Sequence, residues 1–161
     1  KPVLIHGDGT SLWTLTHSED FAKAFCGIMG NSAAIGEIYQ ITGDESLSWN
    51  RIYDCIGEAL GKPVLKYHVT TDFLSACDPE YTGTLAGDKA HSVVFDNTKL
   101  KALVPDFRAS IPFSEGAARC VRYLQNTPAA QIPDPEFEQF CDRVIKAQES
   151  AKDAFFTSIT R

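Results

Sequence analysis

The sequence predicts an α+β fold, with about four short strands among six helices and a long C-terminal helix. Three observations predict it. Leu12, Thr14 and Thr16 alternate with Trp13, Leu15 and His17, the period of a strand whose two faces differ. Residues 48–63 open on a Ser cap, carry an apolar stripe at helical spacing and stop at Gly61-Lys62-Pro63. From Pro135 onward, Phe137, Phe140, Val144, Ala147, Ala151 and Phe155 recur at helical spacing, as one amphipathic helix to roughly Ile159.

In chain order, Val3-Leu4-Ile5-His6 reads as a short strand entering the turn Gly7-Asp8-Gly9, where two glycines supply positive φ. The strand over 12–17 leads into a helix. Thr16 and Glu19 have capping-box spacing, and Ser18 or Asp20 offers an alternative cap. Phe21, Ala22, Phe25, Ile28 and Met29 fall on one face of that helix, predicted to point inward, and Gly30-Asn31 ends it. Asp20 is expected to be structural, fixing the helix start. Glu37-Ile38-Tyr39-Gln40-Ile41 alternates as a half-buried strand. Trp49, Ile52, Tyr53, Ile56 and Leu60 form the core stripe of the helix capped by Ser48.

Val64–Val69 is the next expected strand, and Thr70 or Thr71 begins a short helix. Residues 78–90 lack a clear period and are expected to form a short helix and an irregular loop. Val93-Val94-Phe95 allows a brief strand. Asp96 or Asn97 caps a short helix that ends before Pro105, and Pro112 starts a helix to Gln125 with Ala117 or Ala118, Val121 and Leu124 inward. The domain reading is a main portion over 1–127 and, over 128–161, a connector followed by the last helix.

Fifteen basic against 21 acidic residues leave a formal charge of −6, which argues against sequence-independent binding to nucleic acid or an anionic membrane. No apolar run approaches the length of a membrane span, and a cytoplasmic location is expected. Five widely spaced cysteines form neither a CxxC pair nor a disulfide framework. Reduced, mostly buried thiols are therefore expected, with Cys26, Cys55, Cys120 and Cys141 as small apolar fillers in helices. No zinc-type Cys/His spacing occurs, and no metal is expected.

Equally informative are motifs that do not occur. Gly7-x-Gly9 continues into Leu12 without a third glycine and precedes a strand, so a phosphate-cradling helix terminus is not predicted. None of the five tyrosines has Lys four residues later.

Gly7-Asp8-Gly9 through Asp20-Phe21-Ala22 resembles the middle of an extended (or atypical extended) short-chain dehydrogenase/reductase. This is the family of NAD-dependent sugar epimerases and dehydratases. Later blocks agree in order: Gly36 through Gly43, Ser48-Trp49-Asn50-Arg51-Ile52, Phe95 through Leu100, Leu103 through Phe107, and Ile111 through Gly116. The resemblance covers roughly Val3 to Leu124. It implies the C-terminal, substrate-binding part of a Rossmann-type α/β enzyme. NAD or NADP would bind in the parent protein, on an N-terminal Rossmann half that is a missing partner here. This chain alone would hold no cofactor and no catalytic residue. The substrate class implied is a sugar or nucleotide-sugar-like carbinol.

In nucleotide-sugar members the position of Trp13 is usually an Arg that grips the pyrophosphate, and a second Arg falls near Ala86 to Lys89. Here Trp13 offers a ring to stack on, and Gly87-Asp88-Lys89 offers one positive charge. The candidate substrate-binding residues are Trp13, His17, Asp88, Lys89 and His91. His17 is expected on the same strand face as Trp13, within reach of a substrate hydroxyl. The long last helix suggests packing across a neighbouring surface, possible in a homo-oligomer. A non-catalytic module derived from the same fold, with an RNA or protein partner, is the rival reading; the acidic charge disfavours RNA.

Overall fold

The computed structural model describes residues 1–159. Its strands are β1 (Val3–His6), β2 (Leu12–Trp13), β3 (Leu47–Ser48) and β4 (Lys66–Val69). Its α-helices are α1 (Ser18–Ile28), α2 (Trp49–Leu60), α3 (Thr71–Cys77), α4 (Thr98–Leu103), α5 (Phe113–Asn126) and α6 (Pro135–Ile159). β1 pairs in parallel with β4, Val3 opposite Lys66 through His6 opposite Val69. β2 and β3 form a two-residue antiparallel ladder. These small sheets among many helices bear out the α+β prediction.

Local chemistry explains the elements. Gly7 and Gly9 adopt φ of 59° and 72°, the left-handed region. Ser48 Oγ accepts from the Arg51 amide at 3.2 Å to open α2, and Gly61 closes it at φ 69°. Thr70 Oγ1 accepts from the Phe73 amide at 3.3 Å and starts α3.

Two apolar clusters organise the interior. Val69, Leu74, Leu85 and Val144 form one, bringing β4, α3 and α6 together, with Tyr67, Phe73, Tyr81 and Phe140 around them. Ala24, Leu100 and Phe107 form the other, with Tyr39, Ile41 and Val104 packed against it. α2 lies along α5, burying Ile52, Cys55, Ala117 and Val121.

Several expectations are corrected. The strand over 12–17 ends at Trp13, because its only ladder partner among the described residues is the two-residue β3. α1 is capped by His17, whose Nδ1 accepts from the Glu19 amide at 3.2 Å, and not by Thr16 or Ser18. The Thr16 hydroxyl is engaged elsewhere, accepting from the Gly43 amide at 2.8 Å. The inward face of α1 is Asp20, Ala24 and Ile28, while Phe21, Phe25 and Met29 are exposed. Asp20 decides this rotation. Its carboxylate accepts from the Ile111 amide at 2.8 Å, Ser110 Oγ at 3.2 Å and Lys23 Nζ at 2.8 Å. On the same side, a Cβ at Gly27 would lie 2.6 Å from Val104 Cγ1, so any side chain there would have to displace Val104.

Residues 37–41 turn Tyr39 and Ile41 inward as their alternation predicts. They form no strand, since no ladder partner exists among the described residues, and Ile38 is 88% exposed. The next residues are held by Asn97, buried, which accepts from the Thr42 amide at 3.3 Å and donates to the Thr42 carbonyl at 2.9 Å. Residues 93–95 likewise form no strand; the Val93 amide donates singly to the Leu12 carbonyl at 3.1 Å. The segment expected to be irregular contains a π-helix, Thr82–Lys89, anchored by buried Leu85. Leu124 and Leu60 are more exposed than their stripes predict. The cysteines are all free, but only Cys55 is buried; Cys26, Cys77 and Cys120 stand on outward faces.

Candidate functional site

The Gly7-Asp8-Gly9 turn stands where β1 ends and is held from three sides. The Gly7 amide donates to the Val69 carbonyl at 2.7 Å. The Asn50 amide donates to the Gly9 carbonyl at 2.9 Å, and Asn50 Nδ2 to the Asp8 carbonyl at 2.8 Å. Asp8 Oδ1 accepts from both the Thr10 hydroxyl (2.6 Å) and amide (2.9 Å), bonds that hold its carboxyl below the usual range. A Cβ at Gly9 would come within 2.5 Å of Asn50 Oδ1, so this glycine is required twice over, by φ and by space.

Beyond the turn, β2 is stitched to the exit of the π-helix. Ser11 Oγ donates to the Lys89 carbonyl at 2.9 Å, and the Leu12 amide to Ser92 Oγ at 3.0 Å. That contact sets Lys89 Nζ over the Trp13 ring, 5.6 Å from its centroid, a cation–π distance. The same ammonium reaches Asp88 Oδ2 at 3.3 Å and the Thr84 carbonyl at 3.4 Å. His91 Nε2 meets the Ala86 carbonyl at 2.9 Å. Trp13 and Trp49 lie with centroids 5.9 Å apart, and His6 meets Trp49 edge-on at 5.2 Å.

Two cavities open here. A polar one of about 210 Å³ is lined by His6, Asp8, Thr10, Ser11, Thr71 and Ser92. An apolar one of about 240 Å³ is lined by His6, Trp49, Tyr53, Leu85, Lys89 and Phe137, among others. His6 borders both. Burial pushes its imidazole pKa below the ordinary value, and the Lys89 charge pushes it the same way. The ring is therefore neutral at pH 7.

Of the residues expected from sequence to bind substrate, Trp13, Asp88, Lys89 and His91 are brought together. His17 is not. Since β2 ends at Trp13, His17 serves as the cap of α1 and borders a separate apolar groove of about 460 Å³ with Ile56, Phe113, Ala117, Cys120 and Leu124. His6 and Trp49 are the residues that sequence reasoning missed. Trp49 reads as part of a helical core stripe, and His6 as a strand terminus.

The turn does not fit a dinucleotide. It runs into β2 and not into a helix, so no helix N-terminus follows it to receive a pyrophosphate, and the Asp8 carboxylate stands beside it.

No protein-family model matches the chain. Among curated proteins it is similar to a 2'-dehydrokanamycin reductase of Streptomyces kanamyceticus, 27% identical over 107 residues, which cover 66% of this chain and 30% of that protein. Among solved structures it is similar to a UDP-glucuronic acid 4-epimerase of Bacillus cereus in complex with UDP-glucuronic acid and NAD. There the TM-score is 0.62 at 21% identity, over 78% of this chain and 36% of the other. A dTDP-glucose 4,6-dehydratase of Bacillus anthracis in complex with NAD gives 0.61 at 20% identity, over 81% and 36%. A UDP-glucose 4-epimerase of Thermus thermophilus in complex with NAD gives 0.58 at 20% identity, over 77% and 35%. The chain thus has the fold of part of these Rossmann-type epimerases and dehydratases, and spans about a third of the length of the proteins it matches.

Proposed function

We propose that this chain is the substrate-binding portion of an NAD(P)-dependent epimerase, dehydratase or reductase that acts on a carbinol of a sugar or nucleotide-sugar-like molecule. Residues 1–127 are that portion, and 128–161 are a connector and helix attached to it. Cofactor and proton-transfer groups belong to a Rossmann half outside these residues, and the whole works in the cytoplasm. Within this chain, Trp13, Asp88, Lys89 and His91 contact and orient the substrate. His17 is left to the neighbouring groove.

The observation that carries this reading is the shared fold over about a third of several nucleotide-sugar enzymes, together with the sequence similarity to a reductase. The exposed apolar side of α1 and the ladderless segment 37–41 support it, since both are surfaces that a further α/β unit would cover.

The test is the intact mass of the native gene product, followed by turnover. A product heavier by on the order of 100–150 residues, which oxidises NADH or NADPH in the presence of a keto-sugar or epimerises a nucleotide sugar, bears the reading out. A native mass equal to the 17.7 kDa of this chain overturns it. Attention then passes to a protein partner of α6, whose residues from Ala151 to Ile159 are all exposed. The isolated chain is expected to show no saturable tryptophan quenching by NADH at micromolar levels.

A further inference from the structure

Resting on that reading, we propose that His6 and Trp49 are ligand-contacting residues and, with Lys89, form a site for an uncharged, hydroxyl-rich ring without a diphosphate.

The first ground is two orphaned ring nitrogens. His6 is only 9% exposed, yet its Nε2 has no hydrogen-bond partner among the described residues. Trp49 Nε1 is buried and equally without one. Buried polar atoms of this kind are rare, because each forfeits the bond it would make in water. The two rings touch edge-on at 5.2 Å and both border the apolar cavity, so a ligand seated there lies against both rings, and a small turn of either ring brings its closed-off nitrogen to that ligand. Trp49 Nε1–H only donates, while a neutral imidazole donates or accepts according to tautomer. A hydroxyl does both, and satisfies either partner.

The second ground is charge. Lys89 is the one cation bordering the two cavities; His6 is neutral, and no other Lys or Arg lines them. Its ammonium already bonds Asp88 at 3.3 Å, and Asp8 faces the polar cavity. A diphosphate brings more negative charge than one shared ammonium offsets, and it would meet the Asp8 carboxylate besides. An uncharged ring meets no such penalty. It finds aromatic surface in Trp49 on one side and the hydroxyls of Thr10, Ser11 and Ser92 on the other. Taken together, the two cavities are of the order of a small-molecule site, ~300–1,000 Å³.

The test titrates tryptophan emission of this chain, whose only tryptophans are Trp13 and Trp49, with three probes. These are methyl α-D-glucopyranoside, inorganic pyrophosphate and UDP-glucose. The glycoside is expected to shift the emission saturably and pyrophosphate to leave it unchanged. UDP-glucose binds no more tightly than the glycoside. Trp49→Phe keeps the ring and removes the N–H, and weakens glycoside binding about tenfold, the loss expected for one hydrogen bond. His6→Phe does the same through a second, independent side chain, with folding of both variants checked by circular dichroism. Saturable binding of pyrophosphate, tighter binding of UDP-glucose than of the glycoside, or a response to none of the probes overturns the proposal. So does unchanged glycoside affinity in both folded variants. The reading on which it rests fails separately. A glycoside response in a chain whose native mass is 17.7 kDa keeps the site and removes the missing half.

Discussion

Asp20 offers the sharpest quantitative test of how the chain holds α1 in place. Only 1% exposed, it is a carboxylate with three donors: Lys23 Nζ, the Ile111 amide and Ser110 Oγ. Burial alone would raise its pKa. The bonds from Lys23, Ile111 and Ser110 outweigh burial and bring it down to about 2, from an ordinary 3.8. At about 1.4 kcal/mol per unit, and discounting for the half-exposed Lys23, ionised Asp20 contributes about 2 kcal/mol at neutral pH. Because the folded pKa is the lower one, this contribution is complete above about pH 4 and is lost as pH falls through about 2. Asp20→Asn keeps the shape and one acceptor oxygen but removes the charge. Urea unfolding followed by circular dichroism at pH 7 is expected to show a loss of about 2 kcal/mol, a midpoint lowered by roughly 1 M. At pH 3 the wild-type advantage shrinks to roughly half, because there the unfolded carboxyl is mostly protonated and the folded one is not. A gap that stays equal at pH 7 and pH 3 would show that the carboxyl is not depressed, and would refute the account of α1's orientation.

Asn97→Ala removes every bond from this buried side chain to Thr42 and Asp44. It leaves Thr42 backbone groups unpaired and should cost about 2–3 kcal/mol, read as a melting temperature lower by roughly 5–10 °C. Gly9→Ala strains a φ of 72° and drives a methyl into Asn50. A loss of about 1–3 kcal/mol is expected in denaturant melts, with the Trp49 emission altered because the turn is bonded to the first turn of α2. Phe25→Ser should lower the stability of this chain by no more than about 1 kcal/mol, since the ring is 47% exposed and its covered side rests on exposed Phe21. In a full-length product of the proposed kind the same change should cost well over 1 kcal/mol, and equal small effects in both would count against a covering domain.

What the sequence made legible is what is locally encoded. α2 could be placed to the residue because its Ser48 cap, its apolar stripe and Gly61 all agree. The boundaries of α6 and the positive-φ turn at Gly7 and Gly9 were equally readable. The failures are where a tertiary partner decides. α1 carries two candidate inner faces, and the richer one, with Phe21 and Phe25, lost to the face fixed by Asp20's bonds to residues 90 positions away. Residues 37–41 have a strand's alternation, but a strand needs a neighbour. At the candidate site, Lys89 and Trp13 meet only because Ser11 and Ser92 stitch two distant segments, so no spacing announces them. His6 and Trp49 were invisible for a related reason: an unmet hydrogen bond is a property of surroundings, not of pattern.

The misplaced apolar side chains bear on what covers them. Phe21 and Phe25 on α1, with Met29, Ile35 and Ile38 just beyond it, are 44–88% exposed. At about 1.5–3 kcal/mol for fully burying a large apolar side chain, and with these already partly covered, docking this run would contribute on the order of 5 kcal/mol. A separate protein must first offset an association cost estimated at about 4–15 kcal/mol, which consumes most or all of that gain. A unit joined through the same polypeptide meets a far smaller cost, because linkage supplies a millimolar effective concentration. By itself this run therefore offers little net gain to a partner in trans and a useful one to a domain in cis. That asymmetry fits the proposed further unit on the same polypeptide better than an independent binding partner, and the mass of the native product decides between them.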